Sequence, residues 1–168
     1  MTEEEKIKKE EERKRKEEEF KKTELQLEKV QDELTKKQNL WNNKIEELST
    51  RINNELSSAI NESAIAISYR QILLEERTQM YYSMYKSMPR IKLEHKRLFE
   101  HYSMNYAIKI NGTEKQRLIE ADMCQFEHKM SILQNYITFL TETIKNVDNI
   151  IYAIKNKVDF YNISGGIE

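Results

Sequence analysis

The sequence predicts an all-α protein of long helices, and three observations carry that prediction. Breakers are scarce: 168 residues contain three glycines and one proline, while the helix formers Glu, Lys, Gln and Leu are abundant. Between residues 130 and 161, MSILQNYITFLTETIKNVDNIIYAIKNKVDFY, apolar side chains recur at alternating steps of three and four without a slip. Four sustained heptads of that kind signal a coiled coil. Finally, the clearest turn pair in the chain is Asn111-Gly112, which divides it into a long N-terminal part and a C-terminal helix.

The C-terminal helix is the best-defined element. Its a positions are Met130, Ile137, Ile144, Ile151 and Val158, and its d positions are Leu133, Leu140, Val147, Ile154 and Tyr161. Ile132, Tyr136, Phe139, Ile150 and Ala153 widen the apolar face beside this seam. A dimer needs only a narrow seam, so the wider face asks for two neighbours. One would be the chain's own second helix and the other a further subunit. The expectation is a homo-oligomer of more than two chains, with Met130 through Val158 of the seam as its oligomerisation residues. An intramolecular bundle is the alternative. Thr113-Glu114-Lys115-Gln116 reads as the capping box that opens this helix, which is expected to end near Asn162, before Ser164-Gly165-Gly166.

The N-terminal part divides by composition. Residues 1–22 are a charged helix or disordered arm, in which residues 3–22 alternate blocks of nine acidic and nine basic side chains. Arg13-Lys14-Arg15-Lys16 resembles a nucleic-acid patch. Flanked by Glu10–Glu12 and Glu17–Glu19, it reads instead as a self-neutralised solvated face. Residues 23–51 form a coiled-coil-like extension whose stripe is Leu27, Val30, Leu34, Trp41, Ile45, Leu48 and Ile52. Lys37 interrupts it, and the step from Ile52 to Leu56 shifts the register as a stutter does. The stripe continues through Ile60, Ile67, Leu74, Tyr81 and Met88, so one helix is expected from 23 to 89, with a joint at Pro89 and a further helix to about Ile110. The resulting shape is a helical hairpin with a long N-terminal arm.

Residues 52–112 hold the functional candidates, and 113–168 the oligomerisation helix. Six of the fifteen aromatic residues lie between 81 and 109, with Lys86, Arg90, Lys92, Lys96, Arg97 and Lys109 against Glu94 and Glu100 alone. Cations that neutralise phosphates beside rings that stack on bases are what a single-strand site requires. Lys92, Lys96 and Arg97 are the phosphate candidates, Lys86 and Arg90 support them, and Tyr102 is the stacking candidate. Ile91, Leu98, Phe99, Tyr102, Tyr106 and Ile110 share an apolar arc, so a solvated basic face over core tyrosines stands as the alternative.

Several classes are excluded or disfavoured. The net charge of -1 makes no global case for nucleic acid. A lone cysteine, Cys124, cannot form an intramolecular disulfide and fits a reducing compartment. No signal-peptide core or spanning run is seen, so a cytoplasmic protein is expected, and Asn111-Gly-Thr and Asn162-Ile-Ser read as chance glycosylation matches. No helix pairs a wholly apolar face with a wholly basic one, which argues against membrane-surface binding. Cys124 and His128 stand four apart, but His95 and His101 do not converge on them, so no metal is expected. No phosphate loop, nucleophile elbow or HExxH is present, and the chain is not read as an enzyme.

From about Ile52 to Gly166 the chain resembles the UvsY family of recombination mediators from tailed bacteriophages. The resemblance rests on ordered fragments: SYRQIL (residues 68–73), KRLFEHYS (96–103), EKQRLIEAD (114–122), LQNYITFL (133–140) and AIKNKVDFYNISGG (153–166). It implies helical subunits that assemble into rings through the C-terminal helix and bind single-stranded DNA. It further implies help for a UvsX-type recombinase in displacing the phage single-strand-binding protein, in the host cytoplasm and without a cofactor. The family's basic motif reads lysine, any residue, arginine, whereas here Lys96-Arg97-Leu98 matches only at Lys96. The first fifty residues have no counterpart in the family pattern. A coiled-coil scaffold or adaptor that binds no nucleic acid is the rival reading.

Overall fold

A computed structural model describes residues 3–52, 56–104 and 111–165, with side chains for 8, 10–52, 61–104 and 111–165. It contains three helices: α1 (Glu3–Ile52), α2 (Leu56–Met104) and α3 (Gly112–Ser164). Among the described residues there is no strand. α2 runs antiparallel to both neighbours, with Lys37 and Trp41 of α1 and Tyr136 of α3 meeting at Glu76. α1 and α3 run parallel. Gln125 Nε2 donates to the Phe20 carbonyl and Lys157 Nζ to the Ile52 carbonyl, both at 2.9 Å and both across 105 residues of sequence. That separation is a multiple of seven, so the two helices keep one heptad register between these points.

The principal core draws on all three helices: Trp41, Leu48 and Ile52 from α1, Ala66 and Leu73 from α2, and Tyr136, Leu140, Ile144, Val147 and Ile154 from α3. A second cluster of Leu98, Ile119 and Met123, flanked by Ile91, Tyr102 and Phe126, belongs to α2 and α3 alone. The first half of α1 therefore lies beside the bundle without entering its core. There Arg13, Lys14, Arg15 and Lys16 pair with Glu17, Glu10, Glu19 and Glu12 one turn away, which is the self-neutralised face the sequence suggests.

The α3 seam faces inward. Leu133, Ile137, Leu140, Ile144, Val147 and Ile154 are buried, Met130, Ile151 and Val158 half-buried, and Tyr161 exposed. Leu140, Ile144, Val147 and Ile154 pack with α1 and α2 of the same chain, with Ile151 and Val158 against them. Both ends of α3 are capped. Asn111 Oδ1 accepts from the Glu114 backbone N–H at 2.8 Å, and the Gly165 N–H donates to the Tyr161 carbonyl at 2.8 Å. The capping residue is Asn111 rather than Thr113, because an asparagine before Gly112 reaches the third helical N–H in the same way.

Three further expectations are corrected. The helix expected from 23 to 89 is two: α1 ends at Ile52 and α2 starts at Leu56. The shift read as a stutter falls at residues 53–55, which lie outside the described residues. The charged arm and the extension consequently form one helix that folds back along the bundle. The joint at Pro89 is also absent, since Pro89 lies inside α2. Its ring is exposed while Ile91 and Leu98 pack on α3, so burial of the opposite side offsets the missing Tyr85 hydrogen bond. Finally, the inward row of α2 is Glu62, Ala66, Tyr69, Leu73, Glu76 and Met80. Ile67, Tyr81 and Met88 of the expected stripe are exposed, Leu74 is half-buried, and Ile60 lies outside the described side chains. The end of that helix near Ile110, with Tyr106 and Lys109, also lies outside the described residues.

Candidate nucleic-acid interface

The sequence-predicted cations all lie on the C-terminal half of α2, where packing of Ile91 and Leu98 on α3 turns the rest of the helix outward. Lys86, Arg90, Lys92, Lys96 and Arg97 are all exposed. They separate into two groups by electrostatic environment. Lys86, Arg90 and Lys92 have no acidic partner among the described residues. They sit in a run from Arg77 to Leu93 that contains no carboxylate, although the chain carries 29 acidic residues.

The second group is neutralised locally. Arg97 forks onto Glu94, with Nη2 at 2.6 Å from Oε1 and Nε at 3.1 Å from Oε2. The hydrogen bond to Glu94, its charge, and the charge of Asp122 hold the guanidinium above its ordinary pKa. Lys96 Nζ lies 3.8 Å from Glu100. A phosphate approaching either residue competes with a carboxylate already in place. Of the three phosphate candidates read from the sequence, only Lys92 remains unopposed.

Tyr102 is half-buried against the Leu98, Ile119 and Met123 cluster, and its hydroxyl donates to Asp122 Oδ2 at 2.7 Å. Its ring edge also meets His101, at 5.2 Å between centroids. The structure thus holds Tyr102 in the α2–α3 contact, where its ring helps to close the second cluster. The rings beside the unopposed cations are others: Tyr81, Tyr82 and Tyr85. The signal was present in YYSMYK, one turn before Arg90, but the seven-residue stripe assigned Tyr81 to the core.

Two features were not legible. Lys115 of α3 places its Nζ 4.8 Å above the Phe99 ring and 3.0 Å from Ser103 Oγ, which brings a cation of α3 to the α2 surface. Lys16 of α1, distant in sequence, joins Arg97, Glu94, His101, Tyr102 and Asp122 around a cleft of about 740 Å³ at the same end of the bundle. The cleft mixes cations and carboxylates in near balance, so it offers no net attraction for an anion.

Cys124 and His128 border a groove between α1 and α3 with Glu24 and Glu28. Among the described residues, however, no three His, Cys, Asp or Glu side chains converge in a way that could hold a metal ion. His95 and His101 are exposed on α2. No described helix is long and apolar enough to cross a membrane. Comparison with protein-family models, with curated proteins and with solved structures finds no match for this chain, so its residues and their arrangement carry the functional argument.

Proposed function

We propose that this protein is a single-stranded DNA-binding recombination mediator. It would help a UvsX-type recombinase to load on DNA coated by single-strand-binding protein, with no catalytic step of its own. The observation that carries the reading is the carboxylate-free run of α2, where Lys86, Arg90 and Lys92 stand exposed and unopposed beside exposed tyrosines. Such a face attracts phosphate without reading base identity. The ordered fragments shared with UvsY-type mediators supply the biological context, including the recombinase and the single-strand-binding protein as partners.

Assembly belongs to the same reading. A ring of more than two copies multiplies weak contacts into avidity. Most of the α3 seam from Leu133 to Ile154 is buried in its own chain, so subunits would also meet through apolar side chains left outside the bundle. Tyr152, Phe160, Tyr161 and Ile163 near the end of α3 are of this kind.

The test is anisotropy of a labelled oligo-dT titrated with the chain at 50 and 300 mM salt. Binding that weakens steeply with salt is expected; no binding at low salt from an oligomeric sample removes the reading. The scaffold or adaptor reading is favoured by one observation, the pairing of Lys96 and Arg97 with carboxylates, and it predicts that latter result.

A further inference from the structure

Phosphate contacts alone do not distinguish a single strand from a duplex, and the mediator reading needs that distinction. Tyr82 and Tyr85 are 69% and 66% exposed, and their hydroxyls have no hydrogen-bond partner among the described residues. Tyr82 stands four residues before Lys86, and Lys86 four before Arg90, along one ridge of α2. Tyr85 stands seven before Lys92, two turns along the same side of the helix. Each ring therefore stands within two turns of unopposed cations. Tyr81 backs Tyr85 with its ring inclined by only 25° and its centroid 6.4 Å away, which restricts the motion of the more exposed ring.

We propose that Tyr82 and Tyr85 are the base-stacking residues of this face and make it selective for single-stranded over duplex nucleic acid. This deepens the phosphate-binding reading and rests on it. In a duplex the base faces are covered by one another, so rings standing on a helix surface have nothing to stack on. A single strand presents those faces, and an aromatic ring accepts any base. The Tyr82 row continues in Lys86 and Arg90, Lys92 adds a third cation, and the run from Arg77 to Leu93 carries no carboxylate. This charge favours a polyanion as the occupant, although Leu93 is also exposed on the Tyr85 row.

The experiment is anisotropy with the full chain, a labelled oligo-dT and a blunt duplex of equal length. Tyr82→Ala/Tyr85→Ala is expected to bind oligo-dT about 30-fold more weakly, from two bases at ~1 kcal/mol each, with an unchanged salt slope and unchanged duplex affinity. Tyr82→Phe/Tyr85→Phe is expected to bind as the parent does. Circular dichroism checks the fold, which two exposed side chains do not support. A double-alanine variant with parental oligo-dT affinity overturns the assignment and leaves the phosphate reading standing. One that keeps its DNA affinity but loses self-association in light scattering also overturns it, and gives the rings to a protein interface. Lys86→Glu/Arg90→Glu/Lys92→Glu is measured alongside. Parental binding by that variant, or no binding by the parent, removes the phosphate reading and the stacking proposal with it.

Discussion

Trp41 and Glu76 are joined across α1 and α2 by a 3.1 Å hydrogen bond, indole Nε1 donating to Oε2. The same carboxylate accepts from Lys37 Nζ at 2.8 Å and from the Tyr136 hydroxyl at 3.0 Å. One side chain of α2 thus ties all three helices, and Lys37, which interrupts the apolar stripe of α1, has its answer on a neighbouring helix. Lys44 adds to the same junction by lying 4.8 Å over the Trp41 ring and 5.6 Å over the Tyr69 ring. Replacing Glu76 by leucine leaves the indole N–H and the tyrosine hydroxyl without an acceptor. The expected loss is about 2–4 kcal/mol of unfolding free energy, read from urea denaturation. A loss under about 0.5 kcal/mol would mean that the junction does not hold the bundle together.

The same junction sets an acid dependence. Burial alone raises the Glu76 carboxyl, but hydrogen bonds from Lys37, Trp41 and Tyr136 and the Lys37 charge outweigh it, so the group titrates below its usual 4.5. A carboxyl lowered on folding binds fewer protons in the native state. Its stabilisation is present above the unfolded value and is lost as pH falls through the lower folded value. Thermal melts between pH 6 and pH 3 should therefore drop further for the parent than for Glu76→Gln, the other carboxylates being common to both. Tyr136 acts on the alkaline side: burial and then the Glu76 charge push its hydroxyl far above 10. Its contribution is lost as pH rises past 10, and Tyr136→Phe should flatten that limb.

The two candidate stripes of α2 make opposite mutational predictions. Leu73 is fully buried and Ile67 is 56% exposed. Leu73→Ala is expected to cost about 2–5 kcal/mol, whereas Ile67→Ala should stay within about 0.5 kcal/mol by the same denaturation measurement. The reverse ranking would place the stripe Ile67, Leu74, Tyr81 and Met88 on the core side.

Those stripes also show what was legible and what was not. On α3 most buried positions are Leu, Ile or Val, with Met123, Tyr136 and Thr143 the exceptions, so a local period finds the face. On α2 the inward row contains Ala66, Glu62 and Glu76, while the row beside it contains Ile67 and Tyr81. Hydrophobicity then favours the wrong row by one residue. The reason lies in other helices: Glu76 serves Lys37, Trp41 and Tyr136, and these partners stand 39, 35 and 60 residues away. The predicted basic surface is present for a similarly local reason, being a contiguous run, but local spacing could not show that Arg97 is paired with Glu94 or that Tyr102 bonds to Asp122 on α3.

Pro89 offers a gain-of-stability test. An interior proline leaves the carbonyl four residues back, that of Tyr85, without its helical donor, and α2 continues nonetheless. The ring is exposed, so alanine at this position meets no packing constraint. Pro89→Ala is expected to raise unfolding free energy by about 1–3 kcal/mol. A destabilised variant would show that a bend at this point is required by the packing on α3.

Arg90 and Arg97 lie seven residues apart on α2 and differ chiefly in what opposes them. Arg97 is committed to Glu94 through a forked contact, while Arg90 has no acidic partner among the described residues. If phosphate is bound by the unopposed set, removing the charge at Arg90 should weaken oligo-dT binding more than removing it at Arg97. Neutralising a contacting cation, as in Arg90→Gln, should reduce the slope of log affinity against log salt by about 0.7. Arg97→Gln should leave that slope near its parental value, and Glu94→Gln, which frees Arg97, should raise low-salt affinity. Titrations of the four chains from 50 to 300 mM salt decide it. Equal losses for Arg90→Gln and Arg97→Gln would mean that the strand displaces Glu94 and that the bound face extends to the end of α2.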